Sequence, residues 1–171
     1  MSLLYAAQLL YFFLPAYVAN MMPVLGKKWI PALNKPVHRE QFGSHKTWQG
    51  LVLGTLGGVL VAGIQYELQP FLPWLSIAPY ARWIELGFLL GAGAMAGDLV
   101  KSFFKRQAGI PPGKPWIPFD QLDFVIGALL LSSIVYFPGW FGAGIIAVVS
   151  FVMHVTVNHI GHAIGLRKVK W

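Results

Sequence analysis

Long apolar runs broken by short polar connections dominate this chain. Five stand out, roughly Leu3–Leu25, Trp48–Tyr66, Ile84–Val100, Leu122–Phe137 and Trp140–Leu166. Each approaches the ~20 residues with which an α-helix crosses a bilayer's hydrocarbon core. The third and fourth are near the short limit, so one of them stops partway or tilts little. The first run lacks a basic leading segment and a small-residue cleavage site, so it reads as a mature helix rather than a signal peptide. The pattern predicts an all-α integral membrane protein, a bundle of five transmembrane helices, with residues 1–171 forming a single polytopic domain without repeats.

Composition agrees with a bilayer as solvent. The chain is 56% hydrophobic and 11% charged, whereas soluble domains approach a quarter charged; its mean hydropathy is +0.60. The absence of cysteine excludes disulfides, a thiolate nucleophile and zinc–thiolate sites. A net charge of +7 raises the possibility of a nucleic-acid partner, but the distribution argues against one. Lys27, Lys28, Lys35, Arg39 and Lys46 fall between the first two runs; Lys101, Lys105, Arg106 and Lys114 fall beside or between the third and fourth. Arg167, Lys168 and Lys170 follow the fifth, and Arg82 alone lies elsewhere. Basic residues in alternate connections are the positive-inside pattern. It predicts a multi-pass protein of the cell membrane with its N-terminus outside. Its C-terminus and the connections 26–47 and 101–121 would be cytoplasmic, carrying the active site. The positive charge there suits anionic lipid or nucleotide phosphates rather than nucleic acid.

Small residues four apart, Gly54 with Gly58 and Gly93 with Gly97, read as close helix packing in lipid. The segment "QPFLPWLSIAPYARW" reads as an interfacial loop, and "FPGW" as a turn too tight for a site.

The chemistry concentrates in "GDLVKSFFKRQAGIPPGKPWIPFDQLD", which holds Asp98, Asp120 and Asp123, half of the six acidic residues. If the third helix continues past Val100, Asp98, Ser102 and Lys105 share one face. Asp120 and Asp123 are three apart at the start of the fourth, and the prolines between force the chain to fold back. Three carboxylates converging beside lysines need a cation among them. Oxygen-only ligands suit a hard ion such as Mg2+, which completes its shell with substrate phosphates. Plainer readings exist for each: Asp120 as a helix N-cap, Asp98 as a partner for Lys101 or Lys105, Lys101 and Lys114 as lipid-headgroup contacts. Three incidental carboxylates at membrane depth would be costly.

Gly97-Asp98-Leu99, Ser102, Lys105-Arg106, then Asp120 and Asp123 entering a helix, resemble the signature of the phosphatidate cytidylyltransferase superfamily. "PAYVANMMPVLGKKW", "HKTWQG" and the chain's size resemble its short archaeal branch, the CDP-archaeol synthases. The resemblance covers nearly the whole chain. It implies transfer of CMP from CTP, with Mg2+, to an isoprenoid-ether glycerol phosphate (2,3-bis-O-geranylgeranylglyceryl phosphate), giving CDP-archaeol and pyrophosphate. Asp98, Asp120 and Asp123 would be the metal ligands and, with Lys105, the catalytic set. Asn20, Lys46, Thr47, Ser102, Lys105 and Arg106 would meet CTP or the lipid phosphate.

Departures from the broader pattern are Gln121 in place of an arginine, "QAGIPPGKPWIPF" in place of a Lys-Asp pair and His-Gly-Gly element, and Gln49 where arginine is expected. Lys46 and Thr47 also read as a snorkelling lysine and a helix cap, and Asn20 as an interhelical hydrogen-bond partner. His154, Asn158 and His162 share a face of the last helix, read as interhelical hydrogen bonding or a polar lining. Two other classes are weighed. CDP-alcohol phosphotransferases carry a D-G-x-x-A-R hallmark that is absent here. A small transporter would place ionisable groups near mid-membrane in several helices.

Overall fold

The computed structural model describes residues 2–27, 29–111 and 114–163, the last four as backbone only. Among the described residues six α-helices follow in order: α1 (Leu3–Leu25), α2 (Arg39–Phe42), α3 (Trp48–Leu68), α4 (Trp83–Gln107), α5 (Phe119–Ser132) and α6 (Gly139–Ala163). Short 3-10 turns lie at Pro31–Leu33, Pro73–Leu75 and Tyr80–Arg82. Among the described residues four stretches are long and apolar enough to cross a membrane: Leu3–Leu25, Trp48–Leu68, Tyr80–Gln107 and Gly139–His159. The protein is therefore an all-α membrane protein.

Local chemistry explains where the helices begin and stop. Ser2 accepts the Tyr5 N–H to cap α1, and Thr47 Oγ1 accepts the Gly50 N–H at 3.1 Å to cap α3. α4 runs past Val100 to Gln107 and closes on Gly109, whose φ is +70°. The Ile110 N–H bonds Lys105 O and the Gly109 N–H bonds Arg106 O, a Schellman motif that glycine enters without Cβ strain. The third run, Ile84–Val100, was expected to be short; it lies inside a 28-residue candidate span, Tyr80–Gln107. The fourth run begins earlier than expected and stops sooner, because backbone turns at Ser133–Tyr136 replace the helix.

α4 is the hub, and glycine permits its contacts on two faces. A Cβ on Gly58 of α3 would stand 2.7 Å from Gly87 O and 2.9 Å from Gly91 Cα. On the other face, a Cβ on Gly97 would meet Asp123 O at 2.1 Å, and one on Gly127 would meet Gly93 O at 2.2 Å. The backbones of α4 and α5 thus touch directly, one residue from Asp98 and at Asp123 itself. Leu9, Phe12 and Phe13 of α1, Leu86 and Leu90 of α4, Phe124 and Val125 of α5 and Ile146 of α6 fill the core. Leu56, Leu60, Ile64, Ile126, Leu130, Val148 and Val152 remain exposed on outer faces, as a bilayer solvent allows.

The helices run between two ends. At one, Gln8 donates to Trp74 O, Tyr11 packs on Tyr80, and Tyr5 donates to Pro138 O. At the other, the connection after α1 folds back: the Val37 N–H bonds Lys46 O at 2.8 Å and the Trp48 N–H bonds Lys35 O at 3.1 Å. Phe42 of α2 packs on Phe103 of α4, pinning this connection against the length of α4 that follows Val100, while Lys46 at its end reaches Asp98.

Candidate active site

The α4–α5 glycine contact brings the three aspartates together around an unexpected centre, the Lys101 ammonium. Lys101 Nζ lies 3.3 Å from Asp98 Oδ1, 2.9 Å from Asp120 Oδ1 and 3.0 Å from Asp123 Oδ2. Lys101 read as a headgroup contact from sequence; the structure corrects this, because α5 packs on the flank of α4 where Lys101 stands. Lys105 Nζ grips both oxygens of Asp120, at 2.8 and 2.6 Å. Lys46 reaches from the first connection to pair with Asp98 Oδ2, so it does not snorkel. The side chains of Asp123 and Lys105 are only 5% and 8% exposed, which separates these pairs from weak surface ion pairs. Removing one partner of so buried a pair leaves an uncompensated charge, at a cost of about 3–5 kcal/mol.

Asp120 does more than cap a helix. α5 has Pro118 at its cap and no side-chain capping bond. Asp120 Oδ2 instead accepts the Trp116 N–H at 2.6 Å, fastening the returning loop while the carboxylate faces two lysines. Asp123 Oδ1 accepts the Phe124 N–H at 2.6 Å, which aims Oδ2 at Lys101.

A polar cavity of about 280 Å³ opens over this cluster. Asp98, Lys101, Lys105, Asp120 and Asp123 line it, joined by Asn20, Lys114, Gln121, His154 and Asn158. Beside it, between α4 and α5, runs an apolar groove of about 710 Å³ walled by Val100, Phe104, Trp116, Phe119, Ile126 and Leu130. Lys101 and Asp123 belong to both, and so stand where groove and cavity meet.

Other sequence candidates lie elsewhere. Thr47 caps α3 and is not part of the cavity lining. Ser102 is buried outside that lining. Arg106 turns away, donating through Nη1 to Ile110 O at 2.6 Å. Gln49 donates its amide to Gly26 O and ties α3 to the end of α1. His159 bonds Val155 O through Nδ1 at 2.8 Å, while His154 and Asn158 face the cavity; the side chain of His162 lies outside the described residues. Gln121 is a residue sequence reasoning missed. It is buried in the cavity wall, its Oε1 without a hydrogen-bond partner, and its position between two lining aspartates was the available signal.

The donor set fits a hard divalent ion, being carboxylate oxygen alone with space for phosphate beside it. Among the described residues, though, no three such side chains stand at metal-ligand spacing. The carboxylates are splayed around an ammonium.

Fold and site together define a class: a helical membrane enzyme whose buried charged cavity meets a lipid-facing groove. The family model described as CarS-like, CDP-archaeol synthase, matches residues 1–171, and the chain belongs to that family. A CDP-archaeol synthase of Methanospirillum hungatei is 37% identical over 92% of this chain and 99% of its own. One of Thermococcus kodakarensis is 38% identical over 94% of each chain. A solved structure, described as an intramembrane enzyme for archaeal membrane lipids biosynthesis, superposes with a TM-score of 0.70 at 28% identity, covering 86% of this chain and 90% of that one.

Proposed function

We infer that the chain makes CDP-archaeol, transferring CMP from CTP to the phosphate of 2,3-bis-O-geranylgeranylglyceryl phosphate and releasing pyrophosphate. A phosphate oxygen of the lipid forms a bond to the α-phosphorus of CTP as the bond from that phosphorus to the bridging oxygen of pyrophosphate breaks. No protein nucleophile is needed; positioning and electrostatic stabilisation suffice. The observation that carries this reading is the junction at Lys101 and Asp123, where a triphosphate in the lysine-lined cavity and a phosphate headed by tails in the groove can meet.

Asp98, Asp120 and Asp123 would hold a divalent ion, by donor chemistry Mg2+, which would supply charge neutralisation and orientation for the triphosphate. Lys46 and Lys105 offset the charge that develops on pyrophosphate. Gln121 and Asn20 offer amides to the nucleotide. Isoprenoid tails rest along Val100, Phe104, Ile126 and Leu130, entering sideways from the bilayer.

The site end is cytoplasmic and the N-terminus external, supported by Lys27, Lys35, Arg39, Lys46, Lys105, Arg106 and Lys114 at the site end against Arg82 at the other. α5 serves as the fifth crossing despite its 14 residues. Its chain climbs from Asp120 to the Phe12–Tyr136 ring contact and the Tyr5–Pro138 bond, the same height that α1 spans between Asn20 and Tyr5.

The test is transfer of label from α-32P-CTP to the geranylgeranyl lipid phosphate by purified protein in detergent. Labelled lipid that disappears with EDTA and returns with Mg2+ is expected. Absence of label transfer, or label moving only from a CDP-lipid to an alcohol, would overturn the reading.

A further inference from the structure

Lys101 stands among the three carboxylates that would hold a divalent ion. Its ammonium has three carboxylate neighbours from two helices within 3.3 Å, and its side chain is only 14% exposed. Among the ion-paired groups the formal charges balance, Asp98, Asp120 and Asp123 against Lys46, Lys101 and Lys105, and Lys114 in the same lining adds a further positive charge. A divalent cation added to this neutral cluster would leave it overcharged, unless an anion came with it or an ammonium left. Lysine suits the second role. Its charge sits on a flexible four-carbon stem and is not locked in the planar fork of arginine. Lys101 also has somewhere to go, because it lines the apolar groove as well as the cavity.

We propose that Lys101 is a displaceable cation that closes the Asp98–Asp120–Asp123 site in the resting protein and, once metal and nucleotide occupy it, turns to the mouth of the groove to bind the acceptor lipid's phosphate. This rests on the metal-site reading above. Metal binds weakly to the free protein and well with the triphosphate, whose negative charge offsets it. The ammonium is released toward the acceptor only after the donor is in place, so a water-filled, donor-free site does not capture lipid phosphate. The Lys101 stem is then a positioning device coupling the order in which the substrates bind.

The experiment titrates Mn2+, followed by its electron paramagnetic resonance signal, into detergent-solubilised protein without nucleotide. Lys101→Met should bind Mn2+ at least about tenfold more tightly than wild type, the effect of removing one charge-assisted competitor. Lys101→Arg keeps the charge and should bind as weakly as wild type. In steady-state assays Lys101→Met should raise KM for the lipid phosphate about tenfold or more while KM for CTP does not rise. Adding Asp123→Asn to Lys101→Met should abolish the gained Mn2+ binding. If Lys101→Met is unstable without metal, Lys101→Gln, which keeps a donor for the carboxylates, carries the same expectations. Equal Mn2+ affinity in wild type and the neutral variants, lost in both with Asp123→Asn, overturns the role of Lys101 and spares the metal site. Mn2+ binding that ignores Asp123→Asn sinks the metal-site reading itself.

Discussion

Asp120 concentrates the residue-scale argument, because one carboxylate fastens a loop through the Trp116 N–H and faces Lys101 and Lys105. Asparagine keeps the carbonyl that accepts from Trp116 but removes the charge. Asp120→Asn should therefore fold and purify yet lose about 10²-fold or more in turnover, measured by CMP transfer, as expected for a group whose charge acts on the reacting centre. Combining it with Asp123→Asn should add little, since ligands of one ion act as a unit. Near-normal turnover of the single variant would leave the loop bond as Asp120's only role. Lys46→Ala should weaken CTP use by about 1.5–3 kcal/mol, the worth of a charge-assisted contact, read as kcat/KM. Lys35→Ala is the control: its side chain is exposed and its backbone carbonyl alone is engaged. Equal losses at Lys35 and Lys46 would mean that bulk positive charge, not a site, attracts the nucleotide. Helix geometry explains why Lys101 was passed over. At 3.6 residues per turn, Lys101 lies about 60° to one side of Asp98 and Ser102 about 40° to the other. Sequence spacing favours neither flank; the position of α5 does.

Glycine contacts do the corresponding work at the scale of elements. The α4–α5 approach at Gly93, Gly97 and Gly127 sets the separation of Asp98 from Asp123, so a small side chain there strikes packing and chemistry together. Gly97→Ala would place its methyl against the Asp123 backbone carbonyl, and backbone cannot swing aside like a flexible side chain. A thermal-shift measurement should show a loss of about 1–3 kcal/mol, the usual cost of overpacking, with CMP transfer falling further than stability alone explains. Gly144→Ala in α6 meets nothing within 4 Å and should leave both unchanged. Comparable stability in the two variants would show that α4 and α5 can part without consequence. Small-residue spacing announced helix packing at Gly93 and Gly97, but the partner, Gly127, stands alone in its helix and carries no spacing signal of its own.

For the whole molecule, placing the site at the cytoplasmic face can be checked from outside the cell. A cysteine replacing Ser44, exposed at the site end, should resist an impermeant thiol reagent on intact cells, whereas one replacing Glu67, exposed near the far end of α3, should react. The reverse labelling pattern would invert the orientation and move the chemistry to the other face. Native cysteine is absent, so no background labelling of the chain intervenes. Hydropathy was enough to foresee an all-helical membrane chain, and the clustering of acidic residues marked the segment from Gly97 to Asp123 in which the structure gathers its buried ion pairs. Both depend on transfer free energy and covalent order, which are written residue by residue. The backbone contact of α4 with α5, the reach of Lys46 to Asp98 and the placing of Lys101 among three carboxylates came from packing. These depend on which neighbour is met across a helix boundary, a property of residues from separate elements.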